Sequence, residues 1–319
     1  MHPILRVTED SERAARRAQQ IAVGNGAGSL ALLGLLVTVY LRFDSQLALS
    51  QAADSFADIF TSVALLVSMR VASQPPDEEH PLGHHRAEPV AALIAAVMAG
   101  VLALEVLREA IGGLVGDAAP HLAYPLLGVF GAKIAFKAAV IVLAGRQHRA
   151  HGGAALRAVI VDARNDLLVG LSAVGGFFLA RYGDSSWDAW LAIPIGLWIG
   201  WSGFDLARES IGFLMGEAPP RERREALRAV AEGVSGVRSV HHLVARHHGA
   251  DLAVLLHVVV DEELTVRAAH DIGHAVERRL LEEPDVVHAV AHVDVDPPAD
   301  DGAHAVHTKH HPRSAARDD

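Results

Sequence analysis

Apolar residues fall into six long runs along the first two thirds of the chain, at roughly 20–41, 47–71, 88–114, 121–144, 155–181 and 187–214. Each is near the length of about 20 residues that a helix needs to cross a bilayer core. Stretches such as "AALIAAVMAGVLAL" offer no polar stripe that could face water. The pattern therefore predicts six transmembrane helices rather than six buried helices of a soluble protein. The first run is long, begins well inside the chain and has no clear small-residue cleavage site, so it is expected to be a span and not a cleaved signal.

Beyond residue 215 the pattern changes. "PPRERREALRAVAEGV" opens on prolines and continues with apolar residues at helical spacing. "VRSVHHLVARHH" and "DLAVLLHVVVD" alternate as strands on either side of a glycine turn. "TVRAAHDIGHAVERRLLEE" is amphipathic, and "VVHAVAHVDVDP" is a last strand, which together predict an αββαβ order over 219–297. The final "HAVHTKHHPRSAARDD" has little to pack and is expected to be disordered, with His304, His307, His310 and His311 as weak metal scavengers or simply a solvated tail.

Composition agrees with a membrane protein: 51% of residues are hydrophobic and the mean hydropathy is +0.25. Arg6, Arg13, Arg16, Arg17, Arg70, Arg86, Arg146, Arg149 and Arg157 fall on one side of the predicted spans, and little beyond Arg42 and Arg181 on the other. The positive-inside rule then puts both termini and the C-terminal domain in the cytoplasm. The net charge of −10, with its acid excess in the soluble part, argues against nucleic acid as a partner. There is no cysteine, so disulfides and thiolate metal sites are excluded. The 20 histidines crowd the 80–85 loop and the region after 240, a pattern that hints at metal.

The most informative residues are carboxylates inside apolar runs. Asp54 and Asp58 in the second span stand at i and i+4, and so do Asp162 and Asp166 in the fifth. Each pair shares one helix face. An ionisable residue within a span points to function, because its burial in hydrocarbon is costly. The alternative is a helix cap at the interface, which two matched pairs deep in apolar runs make a poor account. Four oxygens converging between two helices suit a divalent cation. Left unpaired, four buried carboxylates could not all stay charged, and some would hold protons. Since metal binding needs deprotonated ligands, a site that alternates between metal and protons is that of a cation/proton antiporter.

These residues resemble the cation diffusion facilitator family over nearly the whole chain. The resemblance is carried by "SLALLGLL", "LALSQAADSFADIFTSVALL", "PPDEEHPLGHHRAEPVAALIAA", "LRAVIVDARNDLLVGLSAVG" and "LMGEAPP", in that order. It implies a homodimer in the plasma or bacterial inner membrane that exports divalent metal in exchange for protons. Its fold would be six transmembrane helices followed by a cytoplasmic ferredoxin-like αββαβ domain. The implied transport site is Asp54, Asp58, Asp162 and Asp166; a loop site would use Asp77, His80 and His84; a C-terminal site would use His241, His257, His292 and Asp294, with His270 as a further ligand. The bland readings of the last two are a solvated loop and ordinary surface histidines.

Zinc-transporting members usually have His at the first acidic position of span five, where this chain has Asp162. Oxygen ligands favour harder cations, so the site leans toward Mn²⁺ or Fe²⁺ over Zn²⁺, Co²⁺ or Ni²⁺. "DARND" departs from the family's Asp-His-Arg-Ser-Asp, and Asn165 is expected to face a neighbouring helix. Where relatives often carry an acid, this chain has Gly216, with Glu217 beside it.

The expected divisions are an N-terminal segment 1–19, a membrane domain 20–215, a metallochaperone-like dimerisation domain 216–298 and a tail 299–319. No cofactor is expected beyond transported metal and a structural metal in the C-terminal domain. Two other readings compete: a non-transporting membrane metal sensor or scaffold, and an intramembrane metalloenzyme. The second lacks HExxH or any nucleophile motif.

Overall fold

The computed structural model describes residues 9–43, 46–115, 124–182, 186–249 and 251–295. The histidines of the 299–319 tail lie outside them. Six long helices stand where the hydropathy predicts them: α1 (Glu9–Phe43), α2 (Gln46–Ala72), α3 (Ala87–Val115), α4 (Tyr124–His151), α5 (Ala154–Tyr182) and α6 (Ser186–Met215). Contacts divide the chain into two units, one holding residues up to 219 with 245–253, the other 220–244 with 254 onward.

In the first unit α3 lies along α6, α1 along α2, and α4 along α5. Among the described residues, Arg16–Phe43, Gln51–Ala72, Ala87–Leu114 and Pro125–Ala150 are long and apolar enough to cross a membrane. In α5 the polar run Asp162, Arg164, Asn165 and Asp166 lowers the average hydropathy. Leu104, Phe56, Trp201 and Phe204 stand exposed on the helices, an apolar surface that calls for lipid rather than water.

Part of the interior is packed with small residues, while Leu32, Leu36, Leu126 and Phe130 form a second, larger-chained cluster. One buried cluster joins Ala91, Ala92, Ala95 and Ala96 of α3 to Ala154, Ala155, Ala158 and Ala163 of α5. At Gly28 of α1 the backbone passes so close to α4 that a Cβ there would fall within the ring of Phe136. Asn25 donates to Ser62 Oγ at 3.0 Å, fastening α1 to α2 through a buried polar pair.

The second element set follows as α7 (Arg221–Glu232), β1 (Ser239–His248), β2 (Asp251–Val260), α8 (Val266–Leu280) and β3 (Val286–Val295), with sheet order β1-β2-β3. Thr265 caps α8, accepting a hydrogen bond from Ala268 N at 3.2 Å. Alternation breaks in β1, where His241 and His242 are both exposed and His242 has φ +51°. In β2 one face, Leu252, Val254, Leu256, Val258 and Val260, is buried throughout, while Leu255 on the other face is exposed.

Candidate functional site

The helices α2 and α5 each bring an i, i+4 carboxylate pair to one place. Oxygen atoms of Asp54, Asp58 and Asp166 lie within 4.8 Å of one another. Asp58 and Asp166 are buried, the latter 1% exposed. Asp162, one turn before Asp166, faces the same region.

The carboxylates are not unpaired. Helix α4 inserts two lysines among them, Lys133 at 1% and Lys137 at 0% exposure. Lys133 Nζ donates to Asp54 Oδ2 at 2.6 Å and to Gln51 Oε1 at 3.3 Å, and lies 3.5 Å from Asp166 Oδ1. Lys137 Nζ donates to Asp58 Oδ2 at 3.0 Å, lies 3.5 Å from Asp162 Oδ2 and contacts Asp166. The expectation that uncompensated carboxylates must hold protons is thus modified, because two ammonium groups offset part of their charge. Sequence reasoning passed over both lysines. The signal was present in "GAKIAFKAAV": Lys133 and Lys137 are themselves at i and i+4, so three helices each present a charged pair of the same spacing.

Asn165 turns away from the carboxylates, as expected, and its Oδ1 accepts from Ser202 of α6 at 3.0 Å. The neighbouring Arg164 lies over the ring of Trp198, 5.5 Å from its centroid, a cation–π contact of a kind suited to Arg.

Between α2 and α3, Asp77, His80 and His84 gather within 4.8 Å. Asp77 Oδ1 accepts from His80 N at 2.6 Å and meets His80 Nδ1 at 3.2 Å; Asp77 Oδ2 lies 3.4 Å from His84 Nε2. The hydrogen bond from the His80 amide holds the Asp77 carboxyl below its usual range, with the imidazoles adding to it. That carboxylate is therefore ionised and available at neutral pH.

On the sheet, His241, His257 and Asp294 form a third group. Asp294 Oδ2 meets His257 Nδ1 at 2.8 Å and His241 Nε2 at 3.1 Å, while its Oδ1 meets His292 Nε2 at 3.1 Å. Burial pushes the Asp294 carboxyl up, but hydrogen bonds from His257 and His241 and the nearby His292 more than offset it and hold it low. All four residues of the expected C-terminal site thus lie together. His270 does not join them; its ring packs on His274, 4.3 Å between centroids.

Gly216 adopts φ +70°, the left-handed region that favours glycine. A side chain at this position would be strained.

Residues 26–215 match the cation efflux transmembrane domain, and residues 219–296 match the cytoplasmic domain of cation efflux proteins. The chain belongs to the cation diffusion facilitator family. As a member it is a cation efflux transporter and not an enzyme. Among similar proteins, manganese efflux system protein MneS of Bacillus subtilis is 28% identical over 289 residues, which cover 88% of this chain and 96% of that one. Manganese efflux system protein MneP of the same organism is 26% identical over 298 residues, covering 90% and 98%. Cation-efflux pump FieF of Cronobacter sakazakii is 29% identical over 235 residues, covering 73% and 78%.

Proposed function

We propose that this transporter exports a divalent transition metal from the cytoplasm in exchange for protons, with Mn²⁺ or Fe²⁺ preferred over Zn²⁺, Co²⁺ and Ni²⁺. The observation that carries the reading is the convergence of Asp54, Asp58 and Asp166, with Asp162 beside them, in the interior of a six-helix membrane domain. These four residues are the transport site. Every donor atom there is a carboxylate oxygen, a hard ligand set that favours the harder ions of the first transition row. Manganese efflux is also what the names of MneS and MneP ascribe to those relatives.

Carboxylates must lose protons to take metal, so loading on one side releases protons and unloading on the other takes them up. The arginine distribution supports a cytoplasmic location for both termini and the 216–298 domain. In that orientation the Asp77, His80 and His84 group lies on the loading side. The His241, His257, His292 and Asp294 group occupies the domain that matches a cytoplasmic dimerisation module, which supports a homodimer with a metal-dependent sheet surface. The division into 1–19, 20–215, 216–298 and 299–319 goes with this reading.

The test is uptake of Mn²⁺, Fe²⁺, Zn²⁺ and Co²⁺ into proteoliposomes of the purified chain with an interior pH dye. Mn²⁺ entry accompanied by proton exit is the expected result. Metal binding without transport of any of the four ions would instead favour a sensor or scaffold.

A further inference from the structure

The two buried lysines of α4 are not required by a site made of four carboxylates alone. A lysine at 0 or 1% exposure is costly unless its charge is met, and here it is met entirely by the residues of the transport site. Each of the four aspartates has an ammonium group within 3.5 Å: Asp54 and Asp166 at Lys133, and Asp58, Asp162 and Asp166 at Lys137. The Nζ atoms therefore occupy the space between the carboxylates. A metal ion bonded to the same oxygens would sit about 2.0–2.2 Å from each. At that distance from Asp58 and Asp166 it would press against the Lys137 ammonium, a like charge in a buried site where repulsion is strong.

We propose that Lys133 and Lys137 are tethered counter-cations of the transport site, which the metal must displace to bind and which return to expel it. The proposal rests on the reading of the four aspartates as that site. Lysine is suited to the role because its ammonium is a point charge on a flexible four-carbon stem, able to swing aside without moving the helix. Tethering makes the competitor present at high effective concentration however little free cation surrounds the protein. Such a competitor divides the affinity of every metal by a similar factor. It lowers affinity without choosing among metals, and it speeds release, which an exporter needs. Counted at full ionisation, four carboxylates and two ammonium groups leave −2, the charge that one divalent ion neutralises.

The proposal makes an unusual demand: removing a lysine should strengthen binding and slow transport together. The experiment uses full-length protein in nanodiscs, titrated with Mn²⁺ and with Zn²⁺ by calorimetry, and follows the binding step that is lost in Asp166→Asn. The Lys137→Gln variant is expected to bind both metals at least about tenfold tighter, with their affinity ratio unchanged, and to show slower turnover in proteoliposomes. Lys137→Arg keeps the positive charge and should stay near wild-type affinity or below it. Lys133→Gln gives an independent reading where Lys137→Gln does not yield a monodisperse protein. Unchanged or weaker Mn²⁺ binding in a folded Gln variant overturns the proposal, as does an Arg variant that binds as tightly as Gln. Failure of the underlying site reading looks different: Asp166→Asn would then bind and transport like wild type.

Discussion

His257 on β2 and Asp294 on β3 meet across the sheet at 2.8 Å, Nδ1 to Oδ2. The pair joins neighbouring strands and leaves room for His241 and His292 around the same carboxylate. Replacing His257 with Ala is expected to weaken metal binding by the C-terminal domain at least about tenfold, the scale on which even outer-shell partners of a metal act. Calorimetry on the 216–298 fragment, with and without the substitution, checks it.

Asp166 faces both lysines of α4, so it is the carboxylate on which the site most depends. Asp166→Asn should reduce metal uptake into proteoliposomes by at least about a hundredfold, and Asp58→Asn likewise. Both proteins should still insert and elute as the wild type does. Asn is preferred at both positions because its amide oxygen still accepts from the buried ammonium groups, which Ala would leave short of a partner, a loss of about 3–5 kcal/mol.

Metal choice is expected to turn on Asp162. Changing it to His replaces a hard oxygen with an imidazole nitrogen and removes one negative charge from the site. Asp162→His should raise the Zn²⁺ to Mn²⁺ uptake ratio and lower the pH at which metal displaces protons. Competitive uptake by wild type and mutant between about pH 6 and 8 decides it; a level or falling ratio would show that hardness at this position does not govern selection.

A pH-dependent contribution to stability comes from Asp261, just after β2. Its Oδ1 accepts from Glu263 N at 2.9 Å and its Oδ2 from Arg238 at 2.6 Å. The amide hydrogen bond, and then the Arg238 charge, hold its pKa below the ordinary 3.8. A carboxyl depressed in the fold stabilises it above the unfolded pKa, and that contribution is lost as pH falls through the folded value. Asp261→Asn should therefore lower the melting temperature of the C-terminal domain modestly at pH 7. Below both pKa values the mutant and wild type should melt alike.

Gly28→Ala should destabilise the membrane domain by about 1–3 kcal/mol, the cost of overpacking, because the added methyl would enter the Phe136 ring. Shortening the obstacle with Phe136→Leu should recover much of the loss. Thermal unfolding in detergent of the two single variants and the double variant measures the coupling.

Much of this architecture is readable from periodicity. Long apolar runs read as helices, and i, i+4 aspartates on a helix share a face, so the placement of the carboxylates of α2 and α5 was legible from spacing. The αββαβ order follows equally from helical and alternating patterns. Lys133 and Lys137 were harder to read because a lysine in an apolar run commonly snorkels to the interface, and the pair announces a buried role only once its position in the middle of α4 is known. Their role depends on which helix α4 packs against, and that is tertiary information. The break in β1 was likewise hidden, since the positive φ of His242 that exposes it beside His241 is not written in the alternation.

The alanine-lined contact of α3 with α5 has a mechanical consequence. The buried cluster to which both helices contribute has ten alanines among its seventeen side chains, eight of them on α3 and α5, and alanine has no rotamers to rearrange. Large interlocked side chains act as teeth, and sliding one helix past another then requires each tooth to find a new socket. Methyl groups form a nearly smooth rail, along which helices can shear by small steps while staying in contact. A carrier must turn its cargo from one side of the bilayer to the other many times over. Ala163 of this surface lies between Asp162 and Arg164 on the same turn of α5, so a shear along it would act directly on the carboxylates.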